Sequence, residues 1–155
     1  SQAEKYFYFY TDKFFDDSDV IGVINEDITC LFCNMGNVNG QNLLLEFVHG
    51  SEFKKISDFT EDELIDRNYK ILETVYGDKT LRASKVIKSN WTTNENFLGT
   101  YSHNSTNTKK NDRETLGKSL FDKVYFAGEA ISVKNTGYMD GAIETAIAAC
   151  KEMLV

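Results

Sequence analysis

Proline is absent from the whole 155-residue chain, and low-complexity repeats are absent as well. No run of about 18 apolar residues occurs, so no membrane span is expected. No signal peptide opens the sequence, which makes a cytoplasmic location the default expectation. The first residue is Ser rather than Met, and this indicates an N-terminus made by processing, cloning or truncation.

Clustered positive charge is also lacking. The chain has 17 Lys and Arg against 24 Asp and Glu, for a net charge of −7. Because phosphate binding needs clustered Lys and Arg, nucleic acid is not an expected partner. The negative charge is compatible with a cationic amine substrate but does not identify one. With 41% hydrophobic and 26% charged residues, the composition suits an ordinary folded domain with a buried core.

Cysteine is scarce, with only Cys30, Cys33 and Cys150. An odd number in a chain of this length does not indicate a disulfide framework. Cys30 and Cys33 have the spacing of a metal or redox pair, but they lie in a strand-like stretch where residues three apart face opposite sides. No second Cys-x-x-Cys completes a zinc site. We therefore expect no metal site.

Short β-prone runs fill the first half of the chain. Residues 5–10 are an aromatic run typical of a strand. Asn39-Gly40 favours a tight hairpin turn, because both residues tolerate positive φ. The other predicted strands are residues 20–25, 28–34, 43–48 and 84–90.

A helix is predicted from about Thr60 to Tyr76. Thr60-Glu-Asp-Glu63 matches a capping box, in which the Thr hydroxyl and the Glu carboxylate satisfy free backbone donors at the helix start. Gly77 supplies the stop. The apolar stripe of this helix consists of Leu64, Ile65, Ile71, Leu72 and Val75.

The last third of the chain begins with a polar surface loop at residues 102–118. Lys123–Ala127 is predicted to form a short buried strand that ends in Gly128-Glu129, and a second helix is predicted to begin near Met139. The two apolar faces of this helix are Ile143, Ile147, Cys150 and Leu154, and Ala142, Ala146, Ala149 and Met153. The small alanines permit close packing on a sheet or a ligand.

The most specific motif lies in this last third. Val124–Glu129, followed by Gly137–Ala142, resembles the C-terminal flavin motif of the amine oxidase family, which includes the monoamine and polyamine oxidases. The resemblance extends upstream. The family has a tryptophan followed at a set distance by a glycine-x-aromatic element, and Trp91 and Gly99-Thr-Tyr101 have the same spacing. Lys5 and the aromatic strand that follows it to Tyr10 resemble the lysine-containing strand of the family. The resemblance covers nearly the whole chain.

The resemblance implies an α/β fold with α+β character. Residues 1–118 would supply a mixed sheet with helices from the substrate-binding domain, and residues 119–155 the returning strand and helix of the FAD-binding domain. The cofactor would be FAD, held non-covalently, because Thr100 stands where monoamine oxidases have the cysteine bonded to flavin. The family's Gly-x-Gly-x-x-Gly turn, which binds the FAD pyrophosphate, has no counterpart. We therefore expect a C-terminal fragment that, when isolated, binds FAD poorly or not at all and is inactive.

Roles for individual residues follow from the same resemblance. Tyr101 and Tyr138 correspond to the aromatic pair that flanks the substrate amine, and Lys5 to the lysine that holds a water near flavin N5. A helix that begins at Met139 carries about half a positive charge at its N-terminus, which would stabilise the reduced flavin ring. The implied cofactor contacts are Trp91, Gly128, Glu129, Gly137, Met139 and Ala142.

Simpler interpretations of these residues stay open. Gly137 could be an ordinary turn glycine, since isolated glycine motifs are weak signals. Tyr101, Tyr138 and Trp91 could be core residues, and Lys5 a surface lysine at a strand end.

Two classes of function remain. In the first, the complete protein oxidises an amine to an imine with hydride transfer to FAD and reoxidation by oxygen, and its partners are the amine and the missing N-terminal FAD-binding region. In the second, the chain is a non-catalytic interaction module derived from the same fold, or one chain of a split enzyme.

Overall fold

The computed structural model describes residues 2–24 and 29–154, which fall into two compact units. Residues 2–100 form the sheet unit, and residues 101–154 form the C-terminal unit. The ends of two predicted strands, at residues 25 and 28, lie outside the described residues. Within these described ranges, no helix combines the length and the apolar character needed to cross a membrane.

A five-stranded sheet organises the sheet unit, in the order β2-β3-β4-β1-β5. The α+β character of the fold is confirmed, but every described strand pair is antiparallel where a mixed sheet was expected. A short turn can only join antiparallel neighbours, since a parallel pair needs a long crossover. The strands are β1 (Ala3–Tyr10), β2 (Val20–Ile24), β3 (Thr29–Val38), β4 (Gln41–His49) and β5 (Lys85–Lys88).

The turn between β3 and β4 is the predicted hairpin. Asn39 and Gly40 have φ of 52° and 83°, and the flanking Val38 and Gln41 are paired across the ladder. Both central residues are in the left-handed region, as a tight two-residue turn requires. The hairpin fixes the register in which β4 presents its side chains.

The core lies on one face of the sheet. Tyr6, Tyr8 and Tyr10 alternate along β1 and are at most 1% exposed. They share a core cluster with residues of α1 (Gly50–Ile56) and α2 (Glu61–Tyr76). Because side chains alternate between the faces of a strand, Lys5 and its neighbours at every second position lie on the opposite face.

Helix α2 begins and ends as its sequence predicts. Thr60 Oγ1 accepts the Glu63 N–H at 3.3 Å, and Glu63 Oε2 accepts the Thr60 N–H at 2.8 Å. Gly77, with φ of 57°, follows the last residue and donates its N–H to the carbonyl of Glu73. Four of the five predicted stripe residues are buried, whereas Val75 in the last turn is 47% exposed. Tyr76, the last residue of the helix, packs against the core in its place.

The C-terminal unit is built from α3 (Asp112–Leu116), a short 3-10 turn at Glu129–Ile131, and α4 (Met139–Met153). The start of α4 at Met139 is confirmed. The predicted loop at residues 102–118 contains α3, a single helical turn whose N-cap residue, Asn111, accepts no capping hydrogen bond with its side chain.

The buried strand expected at Lys123–Ala127 is wrong. This segment forms only an isolated bridge between Leu120 and Val124, and Val124 and Phe126 are 47% and 37% exposed. A strand needs a neighbouring ladder to satisfy its backbone groups. The described residues of the C-terminal unit contain no strand that could supply one.

Helix α4 buries little of its apolar surface in this unit. Only Gly141 and Ala149 are buried along the helix, while Ile143 and Ile147 are 61% and 52% exposed. Among the described residues, the alanine face of α4 therefore packs closely only at Ala149.

Candidate functional site

The N-terminal turn of α4 directly follows Gly137 of the motif and has no side-chain cap. Tyr138 is the N-cap, in an extended conformation, and no side chain caps the turn. The first N–H groups of a helix have no partner within the helix, and they carry its positive dipole end. This turn therefore offers backbone donors to a polar or anionic group.

Gly128 is held against α4 by one side chain. Thr145 Oγ1 accepts the Gly128 N–H at 2.9 Å and lies 3.1 Å from the Gly128 carbonyl oxygen. Gly128 has φ of 142°, and a Cβ at this position would meet nothing within 4 Å. The residue thus presents bare backbone toward open space, which permits close approach of a ligand.

Glu129 connects two separate segments of the unit. Its Oε1 accepts the Ser102 N–H at 2.8 Å, and its Oε2 accepts the Ser102 hydroxyl and the Gly137 N–H, both at 2.7 Å. Arg113 Nη1 donates to Ser102 Oγ at 3.2 Å, and Arg113 also binds the carbonyl of Ala130. One carboxylate and one guanidinium hold these loops together.

The charge of Glu129 is stabilised by this environment. Burial raises the pKa of its carboxyl, but hydrogen bonds from Ser102 and Gly137 and the nearby Arg113 charge outweigh burial. The pKa of Glu129 is therefore below its ordinary value. Hydrogen bonds to an ionised carboxylate are short and strong, in keeping with the observed distances.

The two predicted substrate-flanking tyrosines both belong to the C-terminal unit. A Cβ added to Gly137 would lie 3.6 Å from Tyr101 Cδ2, so the ring of Tyr101 packs against the Gly137 backbone. Tyr138 follows directly and is 70% exposed, and Tyr101 is 38% exposed. Neither tyrosine is a buried core residue of this unit.

Lys5 and Trp91 belong to the sheet unit. Lys5 has an exposed side chain in β1, and its backbone exchanges two 3.0 Å hydrogen bonds with Ser89. Trp91 is 43% exposed and stacks edge-on against Phe97 with ring centroids 4.9 Å apart. Trp91 is therefore a partly exposed residue rather than part of the buried core.

The structure adds three residues that the sequence pattern does not reveal. Glu4 is 4% exposed and accepts the Thr92 N–H at 2.8 Å, which fixes the chain next to Trp91. Ser102 and Arg113 complete the network of Glu129. All three lie far along the chain from their partners, so no spacing rule signals them. No cluster of three His, Cys, Asp or Glu suited to a metal ion occurs in residues 2–24 and 29–154.

The predicted site residues are thus distributed over two units. The C-terminal unit brings together Tyr101, Gly128, Glu129, Gly137, Tyr138, Met139 and Ala142 around the start of α4. Lys5 and Trp91 are placed in the sheet unit.

Comparison with known proteins gives a family match over almost the whole chain. The model of the family described as "Flavin containing amine oxidoreductase" matches residues 5–154. Two similar curated proteins come from Oryza sativa subsp. japonica. "Lysine-specific histone demethylase 1 homolog 1" is 26% identical over 116 residues, 73% of this chain and 14% of that protein. "Polyamine oxidase 4" is 26% identical over 141 residues, 90% of this chain and 28% of that protein.

Solved structures show the same fold. Cyclohexylamine oxidase from Brevibacterium oxydans IH-35A superposes with a TM-score of 0.78 and 21% identity, covering 99% of this chain and 36% of that one. A putrescine oxidase bound to putrescine superposes with a TM-score of 0.79 and 16% identity, covering 99% of this chain and 35% of that one. The chain therefore spans about a third of these structures, and less of the curated relatives.

Proposed function

The chain belongs to the family of flavin containing amine oxidoreductases, and on that basis we propose that the complete protein oxidises an amine to an imine with FAD as the electron acceptor. The family match over residues 5–154 carries this proposal. Relatives and structural neighbours whose printed names include polyamine, cyclohexylamine and putrescine oxidases support an amine as the substrate class.

The residues at the start of α4 fit a flavin. The uncapped first turn at Met139 offers backbone N–H groups and a positive dipole end to an electron-rich ring edge. Gly128 presents bare backbone, and a side chain there would occupy the open space in front of it. When bound, FAD would accept the hydride equivalent from the amine C–H and later be reoxidised by oxygen. The remaining proposed contacts are Trp91, Glu129, Gly137 and Ala142.

On the substrate side, Tyr101 and Tyr138 orient the amine and exclude water from it. Exposed aromatic rings such as Tyr138, which is 70% exposed, offer a flat apolar surface for this purpose. Lys5 is proposed to hold and orient a water through its ammonium group, since its side chain is exposed on β1. Thr100 offers no thiol for a flavin bond, so FAD is proposed to be bound non-covalently.

The chain alone is proposed to hold little FAD and to be inactive. Its sequence contains no Gly-x-Gly-x-x-Gly turn to cradle the pyrophosphate, and it spans about a third of the solved oxidases that it superposes on. The pyrophosphate is proposed to be bound by a further region, as in a complete family member.

Oxygen consumption and peroxide production by the complete protein test the proposal. The substrate panel contains an arylalkyl amine, a cycloalkyl amine, a diamine and a polyamine, with the matching alcohols as controls. We expect at least one amine, and no alcohol, to drive both signals, and FAD to be released by acid denaturation. A preparation that carries FAD but consumes oxygen with no amine would reject the proposal.

A further inference from the structure

The carboxylate of Glu129 binds the backbone beside both proposed substrate tyrosines. Ser102, which directly follows Tyr101, donates its N–H to Oε1 at 2.8 Å. Gly137, which directly precedes Tyr138, donates its N–H to Oε2 at 2.7 Å. A single rigid, planar group thus connects the two segments that carry the tyrosines.

The acceptor positions of Glu129 are nearly filled by these contacts. A carboxylate has about four lone-pair positions, and the Ser102 hydroxyl takes a third at 2.7 Å. One position on Oε1 remains, which is enough for a single hydroxyl of a cofactor. Most of the binding capacity of Glu129 is therefore directed at the protein itself.

Arg113 determines the direction of the Ser102 hydroxyl. A guanidinium can only donate, and Arg113 Nη1 lies 3.2 Å from Ser102 Oγ. Ser102 Oγ therefore accepts from Arg113 and keeps its own proton for Glu129. Asn104 Oδ1 holds the other side of the guanidinium, accepting from Nε at 3.0 Å and from Nη2 at 2.8 Å.

The turn that carries Gly137 does not depend on Glu129 for its own shape. Tyr138 N–H binds the carbonyl of Asn135 at 3.3 Å, and Asn135 N–H binds Ser132 Oγ at 3.0 Å. Loss of the carboxylate would leave these bonds in place. It would free the turn to move relative to Ser102 and would leave the packing of the unit otherwise intact.

We propose that Glu129 is a positioning residue that sets the spacing between Tyr101 and Tyr138, with Arg113 as its support. The proposal rests on the proposed function, because the two tyrosines matter to the reaction only if an amine lies between them. A shift of the rings by a fraction of an ångström would misplace the amine relative to its acceptor, and such errors lower the rate of the bound complex.

Glu129→Gln in the complete protein tests this role. The substituted amide keeps one acceptor oxygen, but its NH₂ group cannot accept from either backbone N–H. Glu114→Gln, at an exposed position of α3, removes the same charge and serves as the matched control. The readouts are amide hydrogen exchange at Ser102 and Gly137, bound FAD per chain, and kcat and KM for the amine.

We expect exchange at Ser102 or Gly137 to accelerate roughly tenfold in Glu129→Gln, because a charge-assisted hydrogen bond is lost. We expect kcat to fall roughly tenfold with little change in KM and with FAD content retained, because the alignment of the bound amine is lost. Glu114→Gln should match the wild-type protein in every readout. If Glu129→Gln does not fold, Arg113→Lys, which lacks the planar fork, should show the same pattern to a smaller degree.

Three results would overturn the proposal. Unchanged exchange at both amides would show that the bridge is absent, and unchanged kcat with faster exchange would show that the spacing is unimportant. Loss of FAD in step with loss of activity would show that Glu129 acts through its flavin contact and not through the spacing of the tyrosines. A wild-type protein that oxidises no amine rejects the proposed function and the positioning role with it, while the exchange data still decide whether the bridge exists.

Discussion

Gly141 packs its Cα directly against the backbone carbonyl of Asn135. A Cβ added at position 141 would lie 2.1 Å from the Asn135 oxygen and 2.9 Å from its carbonyl carbon. Neither backbone atom can move without displacing the chain that leads into Tyr138. The glycine is therefore required for the first turn of α4 to lie where it does.

Gly141→Ala should disturb that turn and destabilise the C-terminal unit by about 1–3 kcal/mol, the usual cost of overpacking. The measurements are the free energy of unfolding in urea and the FAD content of the complete protein. Both should fall. Gly22→Ala is the matched control, since a Cβ there meets nothing within 4 Å and the φ is ordinary. Wild-type FAD content in Gly141→Ala would contradict the role given to this turn.

A buried ion pair stabilises the sheet unit. Arg67 Nη1 lies 2.8 Å and 3.0 Å from the two carboxylate oxygens of Glu46, whose side chain is fully buried. Arg67→Met should lower the free energy of unfolding in urea by about 3–5 kcal/mol, because it leaves a buried carboxylate without its positively charged partner. Arg82→Met breaks the exposed pair with Asp66 and should cost only about 0–1 kcal/mol. Equal costs for the two variants would show that Glu46 is not effectively buried.

The thiol of Cys30 should be unreactive while the protein is folded. Burial and, to a smaller extent, the charge of Glu46 raise its pKa to about 12 against the opposing effect of Arg67. At about pH 8 the thiol is neutral, and the thiolate is the form that reacts with alkylating reagents. Mass spectrometry after iodoacetamide treatment should find the exposed Cys150 modified and Cys30 intact. Cys30 should react once urea is added, and its modification without urea would contradict its burial.

The Glu129 bridge should weaken in acid. Its pKa is lowered from the ordinary 4.5 in the folded protein, so its contribution to stability is complete above about pH 4.5 and is lost as the pH falls through the lower folded value. Amide exchange at Ser102 and Gly137, corrected for intrinsic rates, should accelerate over that range in the wild-type protein. Glu129→Gln should show no such transition. A transition that remains in this variant would show that another group titrates over that range.

Tyr138→Ala should impair amine oxidation more than FAD content. Removing the exposed ring takes away a wall for the amine but leaves the backbone of α4, so we expect kcat/KM to fall roughly tenfold or more with FAD retained. Tyr138→Phe keeps the ring and should stay within about threefold of wild type, since the hydroxyl has no assigned part in orienting the amine. Equal activity in Tyr138→Ala and wild type would reject the role of this tyrosine.

Local rules predicted the features that depend on a few neighbouring residues. The capping of α2 by Thr60 and Glu63 and the turn at Asn39-Gly40 follow from backbone chemistry within four residues, and both are confirmed. The strand at Lys123–Ala127 failed because a strand depends on a distant partner, which the described part of the C-terminal unit does not provide.

The candidate site divides in the same way. The motif residues around Met139 could be named from sequence because their spacing resembles a family pattern. Ser102 and Arg113 could not, because Ser102 binds Glu129 from a distant part of the chain and Arg113 joins this network only through Ser102. The assignment of the site residues to flavin and amine stays a prediction until variants are measured.

Anaerobic reduction of the bound flavin by an amine is the step that the proposed oxidation requires. The complete protein is mixed with each amine of the panel in the absence of oxygen, and the visible flavin absorption is followed. We expect at least one amine to bleach the flavin, and we expect oxygen to restore the absorption with release of peroxide. Flavin that stays oxidised with every amine, or a complete protein that binds no flavin, would contradict the proposed oxidation.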